Sequence, residues 1–299
     1  MTYSIVARDE ATGQLGVAVQ SHWFSVGPIV PWAEAGVGAV ATQASVDPGY
    51  GPKGLARMRE GTDASAALGA CLAEDELRAV RQVAMVDPSG AVAAHTGDEC
   101  IPAAGHVTGE GFSCQANMML NDTVWGAMAA AYLSTEGDLA SRMMAALRGA
   151  EAEGGDIRGR QSAAIVVVAA VGTGEPWEDR LVDLRVEDHP NPLDELERVL
   201  QIHRAYSHMN EFDRRQEVGD REGAWREVAA AENYAPDNVE IKFWKAIALA
   251  ETGRENEARE LLETAYRRNP NWAELLRRLP AVGLAPADPQ LIERLTKPV

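Results

Sequence analysis

Up to about residue 206, apolar positions alternate with polar ones or cluster in short runs between Gly/Pro turns and Ala-rich stretches; beyond it the spacing is helical throughout. This change of period predicts two domains, residues 1–206 and 207–299. Residues 2–8 and 15–21 read as strands joined by a polar loop, Asp9-Glu10-Ala11-Thr12-Gly13-Gln14, and so as a hairpin. Centring that loop makes paired positions sum to 23, which sets Thr2 opposite Ser21. A one-residue slip would turn both side chains to the other face. Further strands are expected at 37–43, 82–86, 91–95, 112–116, 162–169 and 181–186, and helices at 53–59, 64–72, 123–133 and 139–151. Asp63, Asp122 and Asp138 stand near the starts of three of these helices, where a carboxylate can accept from free backbone N–H groups.

Two helical pairs and many antiparallel strands can bury all their apolar faces as two stacked sheets with helices on either side. The expected fold is therefore α+β: a four-layer αββα sandwich followed by a small all-α helical-repeat domain. In the latter, Gly219, Ala224, Val228, Ala231 and Pro236 recur 34 residues later as Gly253, Ala258, Leu262, Ala265 and Pro270. Spacing and residue types resemble the tetratricopeptide repeat, in which small residues let two antiparallel helices approach and proline ends the second. Only two units are clear, with a closing helix at 272–279, and the aromatic signature is displaced to Trp244. Phe243, Trp244 and Trp272 are expected to pack the core, and the concave face of the helices serves either packing or a protein partner.

The chain has 299 residues, 46% of them hydrophobic, and a net charge of −17. Residues 1–206 carry −14 of this and residues 207–299 only −3. An acidic surface of this size repels phosphate backbones and anionic lipid, so neither nucleic acid nor membrane is an expected partner. No stretch approaches the ~18 apolar residues of a membrane span, and the N-terminus lacks a secretory pattern, which makes the cytoplasm the expected compartment. Cys71, Cys100 and Cys114 are odd in number and irregularly spaced, as reduced thiols would be. His95, Cys100 and His106 fit no zinc spacing, and Gly36, Gly38, Gly49, Gly51 and Gly54 lack the Gly-Lys-Ser/Thr ending of a phosphate loop. No metal and no cofactor are expected.

Thr2 follows Met1 directly and heads the first strand. A methionine aminopeptidase tolerates threonine at this position, and removing Met1 would leave a hydroxyl and a free α-amine on one residue. That amine titrates at about 7.7–8.0 when unperturbed, close to working pH, and can act as the hydroxyl's base.

Thr2-Tyr3-Ser4-Ile5-Val6-Ala7-Arg8-Asp9, Gly16-Val17-Ala18-Val19-Gln20-Ser21, and the run from Pro31-Trp32-Ala33-Glu34 to Ala41-Thr42-Gln43 are the first of a series of segments. Tyr50-Gly51-Pro52-Lys53, His95-Thr96-Gly97, Gln115-Ala116-Asn117-Met118, Gly155-Asp156-Ile157-Arg158-Gly159-Arg160-Gln161 and Asp183-Leu184-Arg185-Val186 continue it. In these segments, which span most of residues 2–190, the chain resembles an uncharacterised bacterial family, domain of unknown function 1028, of the N-terminal-nucleophile hydrolase superfamily. The resemblance implies an amide-bond hydrolase in which Thr2 attacks a small-molecule or short-peptide amide. By the same resemblance Ser21, with His22, stands where a second strand supplies a polar partner, and Asn117 is the candidate donor to an oxyanion. The carboxylate and lysine of proteasome-type relatives are missing, since Ser21 replaces the former and Lys53 lies at a helix start.

Among the remaining candidates, Ser45 follows a buried strand and either lines a pocket or satisfies backbone groups. Asp156 and Arg158, in the glycine-rich loop 154–161, either orient a substrate or pair with each other. His95 ends a strand as a base or as a hydrogen-bonded cap. Two other functions stand beside the amidase: a non-catalytic binding or scaffolding protein with a degenerate hydrolase fold, and an enzyme whose nucleophile is Ser21 or Cys114. Exposed sheet edges point to a homodimer.

Overall fold

The computed structural model describes residues 2–297. Ten strands and eleven α-helices are formed among them, and the chain divides into two compact units, residues 1–199 and 200–299. No described helix is long and apolar enough to cross a membrane.

The strands are β1 (Thr2–Arg8), β2 (Leu15–Ser21), β3 (Pro31–Glu34), β4 (Gly38–Ala44), β5 (Arg81–Val86), β6 (Val92–Thr96), β7 (Gly105–Gly109), β8 (Phe112–Asn117), β9 (Ser162–Val168) and β10 (Arg180–Val186). Every pairing is antiparallel, and the strands form a six-stranded sheet, β10-β9-β2-β1-β8-β7, and a four-stranded sheet, β3-β4-β5-β6. The β1–β2 hairpin has the register read from its loop: Thr2 pairs with Ser21 and Arg8 with Leu15. Neither β3 nor β7 was expected; both are short edge strands, β3 opening on proline and β7 beginning and ending on glycine, residue types depleted in strands.

The helices of this unit are α1 (Tyr50–Arg59), α2 (Ala64–Ala73), α3 (Val124–Ser134), α4 (Leu139–Ala152) and α5 (Pro176–Asp179), followed by α6 (Pro192–Glu217), within which the two units divide. Asp63 and Asp138 cap α2 and α4, each accepting a backbone N–H at 2.8 Å. Asp122 does not cap α3, whose N-cap is Thr123 without a side-chain bond. The two sheets face each other across an apolar core of Val6, Val17 and Val19 on one side and Ala39, Ala41 and Val86 on the other. The outer face of the four-stranded sheet packs Val40, Val83 and Met85 against Leu55, Met58 and Leu68 of α1 and α2. α3 and α4 lie against β1, β2 and β8 of the other sheet.

The second unit continues with α7 (Arg221–Tyr234), α8 (Val239–Glu251), α9 (Glu255–Arg268), α10 (Asn271–Arg278) and α11 (Pro289–Thr296). The positions that recur at 34 residues are its core: Ala224, Val228 and Ala231 on α7, and Ala258, Leu262 and Ala265 on α9, are all buried. Gly219 and Gly253, one before each of these helices, take φ of 79° and 78°, a left-handed turn that residues with a Cβ avoid. Phe243 is wholly buried against Trp244 and Trp272.

Candidate functional site

β1 lies in the middle of the six-stranded sheet, and its pairings set Ser21 of β2 on one side of Thr2 and Asn117 of β8 on the other. The strand's period of two sends Tyr3 toward α4, where its hydroxyl donates to Glu151. Burial, with the negative charge of Glu151, raises the Tyr3 pKa well above its ordinary value. Thr2 and Ser4 point the other way, into the space between the sheets. The Thr2 hydroxyl lies 3.0 Å from that of Ser21, and the Thr2 carbonyl accepts from the side-chain amides of Asn117 and Gln43, each at 3.2 Å. Thr2, Ser21 and Asn117 are all buried.

These contacts belong to a polar network that bridges the sheets. Gln82 Oε1 accepts from Gln43 Nε2 at 2.7 Å and from Asn117 Nδ2 at 2.9 Å, while its Nε2 donates to Thr96 Oγ1, Gly105 O and Ala116 O. Ser4 Oγ donates to Gln43 Oε1 and accepts from Gln115 Nε2, both at 2.7 Å. Ser113 closes this end by donating to Gln115 Oε1. A buried amide without partners costs about 1–3 kcal/mol, so a sheet interface carrying three glutamines is stable only when they satisfy one another. Sequence reasoning missed Ser4, Gln82 and Gln115. A signal was available at Gln82, the one polar residue on an otherwise apolar strand face, and in the polar run Ser113, Gln115 and Asn117 on one face of β8.

Thr2, Gln43 and Asn117 form the polar end of a cavity of about 440 Å³. Val26, Ile29, Val30 and Val80 line its apolar walls, and Trp23, Val46 and Ile101, exposed by 58%, 38% and 48%, form its rim. Among the described residues Glu99 is the single charged side chain in the lining. Four non-glycine residues have positive φ among the described residues, and all flank this cavity in sequence: Ala44 (71°) lines it, Met118 follows Asn117, Ser25 precedes Val26, and Ala103 lies two residues beyond Ile101. Such conformations cost about 1–3 kcal/mol each and concentrate at ligand sites.

The remaining candidates distribute as follows. Ser45 lines the cavity, and its carbonyl accepts from Arg81. His22 does not line it; its backbone N–H donates to Asp156 Oδ2 at 3.1 Å, and its ring Nδ1 lies 3.3 Å from the Arg160 carbonyl. Asp156 is buried and holds the Arg158 guanidinium at 2.8 and 3.1 Å, so these two pair with each other and brace their loop against His22 instead of facing the cavity. Both N–H groups of the Asn117 amide are engaged, by Thr2 O and Gln82 Oε1, which directs this residue to the Thr2 backbone and leaves no donor for an oxyanion. Cys114 pairs with Ile5 on the opposite face of the sheet, wholly buried, its thiol pKa pushed up by desolvation, which removes it as a nucleophile. His95 bonds the Arg78 carbonyl at 2.8 Å, as a strand cap would. Among the described residues no group of three or more His, Cys, Asp or Glu is placed to hold a metal.

The model of a family of unknown function (DUF1028) matches residues 2–196. A crystal structure of a Silicibacter pomeroyi protein assigned to the same family is 33% identical, with a TM-score of 0.60 over 67% of this chain and 88% of that one. No curated protein matches the chain.

Proposed function

The chain belongs to DUF1028, and on that premise we propose that it is an amide-bond hydrolase whose nucleophile is Thr2, freed by removal of Met1. One observation carries the reading: the Thr2 hydroxyl sits 3.0 Å from Ser21 Oγ at the polar end of an otherwise apolar cavity. Two facing sheets with helices against each fit the αββα sandwich of the N-terminal-nucleophile hydrolases.

In this mechanism Thr2 Oγ1 attacks the carbonyl carbon of a substrate amide while the α-amine takes the hydroxyl proton. The C–N bond breaks, the proton passes to the departing amine, and an ester to Thr2 remains. Water, deprotonated by the same amine, cleaves the ester to a carboxylic acid and restores the hydroxyl. Asn117 and Gln43 act as positioning residues: by holding the Thr2 carbonyl they fix the rotation of the residue and the direction of its hydroxyl. Ser21 orients that hydroxyl.

A second reading, a non-catalytic binding protein, is favoured by a specific feature: no lysine and no carboxylate other than Glu99 lines the cavity to poise the amine. In that reading the helical unit, with its tetratricopeptide-like recurrence of Gly219 and Gly253, holds a protein partner. Homodimerisation through sheet edges, and a cytoplasmic location, which free Cys71, Cys100 and Cys114 suit, belong to either reading.

The test is intact-mass measurement of protein expressed without an N-terminal tag, followed by labelling with an electrophilic acylating probe and peptide mapping. Loss of Met1 and an adduct on Thr2 that disappears in Thr2→Ala are expected. Retention of Met1, or labelling unchanged in Thr2→Ala, overturns the amidase.

A further inference from the structure

Resting on the assignment of Thr2 as nucleophile, we infer that the cavity is the acyl pocket and that the substrates are amides of an uncharged, apolar acyl group with a neutral or cationic amine. The first argument is the wall. Between the polar end at Thr2 and the rim, the wall is largely aliphatic, formed by Val26, Ile29, Val30 and Val80, with Val26 and Val30 buried within the protein. Its volume of about 440 Å³ falls within the ~300–1,000 Å³ of small-molecule pockets. At about 30 Å³ per water-sized group it accepts on the order of ten to fifteen non-hydrogen atoms.

The second argument is charge. Among the described residues no Lys, Arg or His lines this space, so a carboxylate carried along the acyl group would be desolvated without a side-chain counter-ion, a costly arrangement. Exposed Glu99, the one ionised side chain in the lining, repels an anion further and attracts a cation.

The third argument is the order of events. The amine leaves while the acyl group is still esterified to Thr2, so the amine must lie on the solvent side and the acyl group on the enclosed side. The enclosed side is the aliphatic one. The exposed rim of Trp23, Val46, Ile101 and Glu99 is then where the amine portion rests before it departs. Ile101 is a specificity-determining residue at the junction of the two.

The experiment compares hexanoyl, phenylacetyl and succinyl 4-nitroanilides as substrates of wild-type protein lacking Met1, and as ligands of Thr2→Ala by calorimetry. Hexanoyl or phenylacetyl compounds should exceed the succinyl compound by about a hundredfold in kcat/KM and in affinity. The exposed-site variant Ile101→Lys should narrow that gap by about two- to fivefold by supplying a counter-ion. Equal or better use of the succinyl compound, or an unchanged gap in Ile101→Lys, overturns the inference. Hydrolysis of none of the three, with the apolar compounds still binding Thr2→Ala selectively, sinks the nucleophile assignment and leaves the pocket chemistry standing. Hydrolysis of all three at similar rates does the reverse.

Discussion

Thr2 and Ser21 face each other across the β1–β2 pair, and their hydroxyl oxygens are 3.0 Å apart in the buried space between the sheets. The Thr2 hydroxyl donates to Ser21 Oγ, which sets its direction across the strand pair. Ser21→Ala should therefore slow labelling of Thr2 by an acylating probe by about tenfold while costing about 1–3 kcal/mol of stability, the range for lost hydrogen bonding at a buried polar group. Labelling kinetics and urea unfolding on the same preparation check both halves. A large stability loss with unchanged labelling would make Ser21 a structural residue alone.

Gln82 is the node of the inter-sheet network, with five hydrogen bonds, to Gln43, Asn117, Thr96, Gly105 and Ala116. Gln82→Met keeps the volume and removes every one of them. Stranded donors and acceptors should cost about 3 kcal/mol or more, lowering the Tm by roughly 6–12 °C for a unit of this size. Differential scanning calorimetry measures it.

Asp75 ties α2's C-terminal region to β5, since it accepts from Arg81 Nε at 2.8 Å and from the Tyr50 hydroxyl at 2.9 Å. Hydrogen bonding from Arg81, then from the Leu77 N–H and Tyr50, outweighs desolvation and holds its pKa down to about 2. A carboxyl lowered in the folded state stabilises above the unfolded pKa of about 3.9, and that stability is lost as pH falls from there toward 2. Asp75→Asn should cost about 1–2 kcal/mol at pH 7 and flatten the acid limb of the stability curve. Urea titrations at a series of pH values between neutrality and acid provide the readout. Because Arg81 also donates to the Ser45 carbonyl, the variant should loosen this wall of the cavity, seen as faster amide exchange at residues 44–46.

Ala44 lines the cavity at φ 71°, where an L-residue pays about 1–2 kcal/mol relative to glycine. Against it stands the extra unfolded-state entropy of glycine, about 0.5–1 kcal/mol. Ala44→Gly should then raise stability by about 0.5–1 kcal/mol and reduce Thr2 labelling, because a wall residue becomes free to move. A destabilised Ala44→Gly would show that this conformation is not strained.

What the chain dictates locally was legible from its residues. The β1–β2 register follows from a short loop and a period of two, interactions that close within twenty residues, and the buried face of α7 and α9 follows from a recurrence that any reader can count. The edge strands β3 and β7 were not, because β3 opens on proline and β7 begins and ends on glycine, residue types depleted in strands. Nor was the site beyond the Thr2–Ser21 pair. Ser4, Gln43, Gln82 and Gln115 come from four strands, and each looks like a defect until the two sheets close and the amides find one another. Asp156 and Arg158 show the converse, a suggestive pair that the folded loop turns onto itself and away from the cavity. Secondary structure is set by neighbours in sequence, whereas satisfying buried polar groups and shaping a cavity depend on groups as far apart as Thr2 and Asn117, so only the tertiary structure decides which polar residues meet.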